Sequence, residues 1–368
     1  MKLIIIYTGY NQRAVIAFMR FAKAMNLPVA LIAKSSDDTI FLTDYKSDVF
    51  ITRANPRLDV ETILEHVSLA REKFACESIF ILPTTEFLNR TMLANRSVFN
   101  EQGIQFGLCE EELYCKLSDK VRFTELCRSY NIPVPGESEE PFGEFPQVAK
   151  PKFYLSDNNA LKPIILKTQE ELDALRNSGK MDGYFFQPYI TGSSVYLLFY
   201  FRRDGFVRVY SQENLIQEPD GGSIILAKSS THFEELSVVK EYEKMLKESG
   251  FFGLVMVELR IHNSIPYMIE ANPRFWGPSQ LVIDSNMKLL EDFLMDNQLC
   301  TFDFSDKPYK NSVYYFWSGG MRNAHLSGKE VKHHQFQSDS FIRDYSTLLE
   351  SEVYFRNDTI KVYYNENK

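Results

Sequence analysis

Residues Gly253 to Gly277 read GLVMVELRIHNSIPYMIEANPRFWG. Two carboxylates in this stretch, Glu258 and Glu270, each follow a short run rich in apolar and β-branched residues, Leu254 to Val257 and Ile265 to Ile269. The polar segment between the runs predicts two strands joined at His262-Asn263-Ser264. Strands on either side of such a turn are antiparallel, so Glu258 and Glu270 are expected on neighbouring strands, facing one space near one end of a sheet. Asn272, two residues on, falls on the same side by strand alternation. Two carboxylates and an amide oxygen are hard ligands of the kind magnesium takes when it also holds phosphate oxygens. Arg274 follows at the same spacing and brings a planar fork of donors. Taken singly, a glutamate on a strand marks a solvated face; the residues after Glu270 shift the reading.

That string, Glu270-Ala271-Asn272-Pro273-Arg274-Phe275-Trp276-Gly277, resembles the E-x-N-x-R signature that closes the nucleotide site of ATP-grasp enzymes. Glu258, twelve residues upstream of Glu270, stands where that family has its second metal-binding glutamate. The chain is similar to the carboxylate-amine ligase and carbamoyl-phosphate-synthase-like branch. The resemblance implies ATP and Mg2+ (Mn2+ in its place) as cofactors, Glu258, Glu270 and Asn272 as metal ligands, and Arg274 as a catalytic cation.

Composition sets the outer bounds. A chain of 368 residues can bury the cores of two or three subdomains, and 44% hydrophobic with 24% charged residues is ordinary for a globular protein. A net charge of −8 with both signs interspersed gives no surface for nucleic acid or an anionic membrane. Cys76, Cys109, Cys115, Cys127 and Cys300 lack C-x-x-C spacing, which predicts reduced thiols and a cytoplasmic protein. The opening MKLIIIYTGY has too short an apolar run for a signal segment and predicts a buried first strand; no membrane span is expected.

Residues 1–105 alternate strand and helix: strands near Leu3–Ile6, Val29–Ile32, Asp48–Thr52 and Ser78–Leu82, with helices over Asn11–Ala24 and Val60–Cys76. That pattern predicts a parallel sheet covered by helices, with Gly9 and Pro83-Thr84-Thr85-Glu86 at its mouth. Ser118 is expected to cap a helix running to Tyr130, ended by Asn131-Ile132-Pro133-Val134-Pro135. Strands at Phe145–Ala149 and Pro163–Lys167, and a helix over Gln169–Asn177 capped by Thr168, predict a small α+β lid. A hairpin turns at Arg203-Asp204-Gly205, Pro219 to Ser223 form a loop with Lys228 as an anion contact beyond it, and a helix over Phe233–Ser249 ends at Gly250. Another helix is expected near Lys288–Asn297. Beyond residue 300, Tyr314 to Trp317 and a strand over Thr359–Tyr364 predict an appended β region without chemistry, while His325, His333 and His334 lack usual ligand spacing.

With the resemblance, the fold is α/β and α+β: an N-terminal Rossmann-like parallel-sheet domain (1–105), then a two-lobed ATP-grasp domain made of linker helix and lid (106–186) and a main lobe with the metal site (187–300), then the C-terminal region (301–368). It implies Lys120 and Lys150 on the nucleotide phosphates, with Lys150 also catalytic. It puts the hinge at Gln187, Pro188, Tyr189 and Ile190 against the base, and Ser194 at the ribose. Two departures stand out: residues 152–160 contain no glycine where relatives have a glycine-rich flap, and Ser194 replaces a glutamate. The implied activity is phosphorylation of a small carboxylate by ATP and displacement of the phosphate by an amine, giving an amide. Its alternatives are phosphorylation of carbamate or bicarbonate, and nucleotide binding without turnover, which the two departures motivate. Partners would be the carboxylate and amine substrates, with a homodimer left open as the assembly.

Overall fold

The computed structural model describes residues 2–152, 161–300 and 307–368. Most of the glycine-free lid loop, residues 153–160, lies outside the described residues. Three sheets carry the architecture. The first is five-stranded and parallel, in the order β3 (Val49–Thr52), β2 (Val29–Ala33), β1 (Leu3–Tyr7), β4 (Ile79–Ile81), β5 (Ile104–Gln105). Its strands are near-continuous apolar runs because both faces are covered. Ile4 and Ile6 enter one core while Leu3, Ile5 and Tyr7 enter another. Helices Gln12–Ala24 and Val60–Phe74 lie where the apolar spacing predicts them, the second capped by the Asp59 carboxylate on the Thr62 amide.

The lid is a three-stranded antiparallel sheet, β7 (Ile164–Leu166), β6 (Gln147–Pro151) and β8 (Tyr184–Pro188), over a small core of Ala149, Leu166, Leu172, Leu175, Tyr184 and Phe186. Helix Gln169–Asn177 starts at Thr168, whose hydroxyl accepts from the Glu171 amide, as expected. Because β8 runs to Pro188, Gln187 and Pro188 belong to the lid sheet. Helix Lys120–Ser129 departs from expectation at its start. Its cap is Asp119, which accepts from the Arg122 amide, whereas Ser118 ends a preceding helix, Glu111–Ser118, and its hydroxyl donates back to the Tyr114 carbonyl. Aspartate in extended backbone is the better cap, since its carboxylate also meets the positive helix end.

The main sheet has the order β13 (Ile265–Asn272), β12 (Gly253–His262), β9 (Ser193–Phe201), β10 (Val207–Gln217), β11 (Ile224–Ser230), β14 (Tyr314–Phe316), with β15 (Lys332–His333) added to β10. It too is covered on both faces: Tyr196, Leu198 and Tyr200 of β9 face one core, Val195, Leu197, Phe199 and Phe201 the other. The turn between β12 and β13 is Asn263-Ser264, both at positive φ (49° and 64°), the two-residue geometry that matches strand twist. Lys228, a candidate anion contact by sequence, is paired with Glu213 at 2.8 Å.

The C-terminal region is integrated rather than appended. β14 and β15 both extend the main sheet, and Tyr315, Phe316 and Trp317 are buried in its core. The strand expected over Thr359–Tyr364 is a helix, Ile360–Glu366. Its β-branched residues mislead because tertiary contacts override propensity. Val362 alone is buried, Glu366 accepts from the Trp317 indole (2.9 Å), and Thr359 Oγ1 accepts from Arg20 (2.7 Å). Among the described residues no helix is long and apolar enough to cross a membrane.

Candidate active site

Glu258 and Glu270 are direct cross-strand partners on β12 and β13. A one-residue irregularity makes them so. From the turn to Leu259↔Met268 the ladder is regular, and a straight continuation would set Glu258 opposite Ile269 and turn Glu270 to the other face. Instead the next pair is Glu258↔Glu270, leaving Ile269 as the extra residue of a bulge. Glu270 thereby joins the face of Leu254, Met256 and Glu258, and the freed Ile269 carbonyl accepts from Lys150 Nζ at 2.8 Å.

Like charges directly opposite on adjacent strands repel, and each carboxylate here has a cation. Lys120, first residue of its helix, donates from Nζ to Glu270 Oε2 (2.8 Å). Arg260, two residues beyond Glu258 and so on its side, pairs with Glu258 Oε1 (2.9 Å). The Lys120 charge holds the Glu270 carboxyl below the usual carboxylate range, whereas burial pushes Glu258 up. Lys150, on β6 of the lid, is 6% exposed, and burial brings its ammonium down to about 8.

These groups line one cleft between lid and main sheet, of about 1590 Å³. Lys120, Lys150, Glu258 and Glu270 share it with Gln187, Pro188, Tyr189 and Ile190, the residues expected at the hinge. Gln187 is buried and donates from Nε2 to Glu137 Oε1 (3.0 Å). The loop Pro219–Gly222 joins β10 to β11 and also lines the cleft, so it is both a strand connection and part of the wall. Although the whole chain carries −8, the described residues that line the cleft include eight lysines and arginines against five carboxylates, which suits an anionic ligand.

Three expected residues stand apart from that lining. Ser194 is 1% exposed, and its Oγ accepts from Asn214 Nδ2 (3.0 Å). Asn272 donates from Nδ2 to Glu270 Oε1 (2.9 Å) and accepts on Oδ1 from Arg274 Nη2 (3.0 Å). Arg274 reaches toward the N-terminal domain, its Nε 3.6 Å from Glu86 Oε2 and without a hydrogen-bond partner. Glu86 also holds Arg90 (2.8 Å) and accepts from the Tyr114 hydroxyl (2.8 Å). The sequence had placed Glu86 at the mouth of this domain; the contact with Arg274 is what the fold adds.

The donor set fits a hard divalent cation in part. Among the described residues no group of three or more His, Cys, Asp or Glu converges, so the facing pair Glu258 and Glu270 is the candidate centre. The Asn272 amide presents its nitrogen to Glu270 and would have to turn over to ligate beside it. Arg260 and Lys332 were missed by sequence reasoning. Strand alternation from Glu258 could have found Arg260; nothing near Lys332 in sequence signals the cleft it lines.

No protein-family model matches the sequence, and no curated protein matches it. Solved structures do match in architecture. The biotin carboxylase domain of the 2-oxoglutarate carboxylase of Hydrogenobacter thermophilus, a dimer with MgADP, ADP and bicarbonate, aligns with a TM-score of 0.62 at 14% identity, over 85% of this chain and 73% of that one. An L-amino acid ligase from Bacillus licheniformis gives 0.58 at 16% over 82% and 75%. N5-carboxyaminoimidazole synthetase from Staphylococcus aureus, complexed with ADP, gives 0.58 at 15% over 82% and 79%. At these identities the likeness carries architecture alone, and the fold of this chain is that of the ATP-grasp enzymes.

Proposed function

We propose that this protein is an ATP-dependent ligase that activates a small carboxylate as an acyl phosphate and joins it to an amine. The observation that carries this reading is the facing pair Glu258 and Glu270, with Lys120 and Lys150 beside it, in a cation-rich cleft between two lobes. ADP, MgADP or bicarbonate bound to proteins of the same fold supports it.

Lys120 and Lys150 bind and orient the β- and γ-phosphates; Lys120 leaves Glu270 to do so, and Lys150 leaves the Ile269 carbonyl. Glu258, Glu270 and the Asn272 amide, once turned over, would hold magnesium, whose charge would lessen the repulsion between an anionic carboxylate and an anionic phosphate. The carboxylate oxygen bonds to the γ-phosphorus as the bond to the ADP oxygen breaks. The amine nitrogen then bonds to the acyl carbon, phosphate leaves, and the amine proton passes to solvent or phosphate. Arg274, held by Asn272 and Glu86, stabilises the oxyanion of that second step. The backbone of residues 187–190 takes the base, and the lid excludes water that would hydrolyse the acyl phosphate.

The test is ADP and phosphate release with ATP and magnesium across pooled carboxylates and amines, with Glu270→Gln as control. Release that requires both a carboxylate and an amine supports the ligase and identifies its substrates by deconvolution. Release with bicarbonate or a carboxylate alone replaces it by a phosphorylating reaction. No release, with ATP binding seen by calorimetry, replaces it by nucleotide binding without turnover.

A further inference from the structure

The C-terminal region, which the sequence marks as remote from chemistry, supplies a wall of the cleft. β15 pairs with the far end of β10, His333 opposite Ile216 and Lys332 opposite Gln217, where β9 has already begun to diverge into the hinge. The His334 amide continues the pairing to the Leu215 carbonyl. Lys332 lines the cleft, and its Nζ lies 4.1 Å from the ring centroid of the hinge residue Tyr189. Burial, and then the charge of Lys167 on the lid, hold that ammonium below the ordinary lysine value. Among the described residues no carboxylate pairs with it, in contrast to its neighbour Lys329, which is paired with Asp220. A half-buried ammonium packed on an aromatic ring and repelled by a second lysine favours a ligand rich in acceptors at that place. Ser194, the residue expected at the sugar, is closed off by Asn214. On the nucleotide reading of the cleft, sugar hydroxyls at its hinge end would need a donor other than Ser194.

We propose that Lys332 is a nucleotide-binding residue that donates to the sugar hydroxyls of a nucleotide held at the Gln187–Ile190 hinge. The proposal rests on the reading of this cleft as a nucleotide site. It commits the cation to the sugar because an ammonium only donates, and hydroxyl oxygens can accept from it while the hinge backbone faces the base edge.

The experiment is calorimetric titration of the full chain with ATP and with 2′,3′-dideoxy-ATP, in wild type, Lys332→Met and Lys332→Gln. Gln keeps a donor and much of the stem, and thermal melting checks both variants for folding. Expected are a wild-type preference for ATP, a loss of about tenfold in ATP affinity in Lys332→Met with little change for 2′,3′-dideoxy-ATP, and an intermediate loss in Lys332→Gln. Equal affinities in wild type and both variants would overturn the assignment of Lys332 and leave the nucleotide reading intact. An equal loss for both nucleotides would overturn the sugar contact. Absence of ATP binding by the wild-type protein would overturn the nucleotide reading, and this proposal with it.

Discussion

Replacing Lys150 by methionine is expected to stabilise the free protein while weakening its hold on nucleotide. The Lys150 side chain is 6% exposed, and burial, then the nearby Lys120 charge, bring its ammonium from the ordinary 10.5 to about 8. That displacement corresponds to about 3 kcal/mol against the folded state wherever the cation must be kept. Between pH 8 and 10.5 the unfolded chain binds the proton that the folded chain has lost, so the stability of the wild type rises with pH across this window and is lowest below pH 8. Methionine removes that cost and keeps the apolar stem. It leaves the Ile269 carbonyl without its donor, at a cost of about 1 kcal/mol. The balance is a gain of about 2 kcal/mol at pH 7, reversing to a loss of about 1 kcal/mol above pH 10.5. Urea denaturation at pH 7 and pH 10 reads the stability, and calorimetry with ATP reads the affinity. Wild-type ATP affinity should also fall by up to about tenfold per pH unit above 8, and the variant should lack this dependence. A variant less stable than wild type at pH 7, beside a wild type whose stability is flat from pH 7 to 10, would refute the desolvation argument. Unchanged ATP affinity would remove Lys150 from the site.

Other perturbations test other parts of the arrangement. Glu270→Gln removes the charge that pairs with Lys120, and ADP formation should drop by at least about 100-fold with the far-UV circular dichroism unchanged; normal turnover would dismiss the metal assignment. Arg274→Lys cannot span both Asn272 and Glu86, so turnover should fall while the calorimetric affinity for ATP stays the same; a matching loss in both would put Arg274 on the nucleotide instead. Gly192, just beyond the hinge, has φ +112°, and a Cβ there would lie 2.0 Å from the Ile261 carbonyl oxygen. Gly192→Ala should therefore lower stability by roughly 2 kcal/mol or more in urea denaturation, and an unshifted midpoint would show that the strand can yield.

The paired cations explain how two facing carboxylates are tolerated on adjacent strands. Lys120 and Arg260 each offset one of the two charges, and Lys120 comes from helix Lys120–Ser129 rather than from the sheet. On the proposed reading, phosphate and metal would exchange these partners rather than create charge from nothing. Arg274 also approaches Glu86 of the N-terminal domain, which accepts from the Tyr114 hydroxyl, so the candidate site is tied to the parallel-sheet domain.

Much was legible in the chain itself, and for a local reason: apolar period, turn residues and caps act over a few residues. The alternation of strand and helix in the first hundred residues, the lid helix begun by Thr168, the hairpin at Arg203-Asp204-Gly205 and the two strands flanking Asn263-Ser264 are all where those signals put them. The order of Lys120, Lys150, Gln187, Glu258, Glu270, Asn272 and Arg274 likewise pointed to the fold that the solved structures share. What only tertiary structure decided is the sidedness and the distant partners. Counting by strict alternation across the hairpin would turn Glu270 away from Glu258, and a bulge at Ile269, stabilised by a lysine 119 residues earlier, turns it back. Residues 360–366 carry strand-like propensity but fold as a helix because one valine and one glutamate find partners elsewhere in the chain. Lys332 reaches the cleft only because β15 adds to β10, a pairing between segments more than a hundred residues apart that no local pattern encodes.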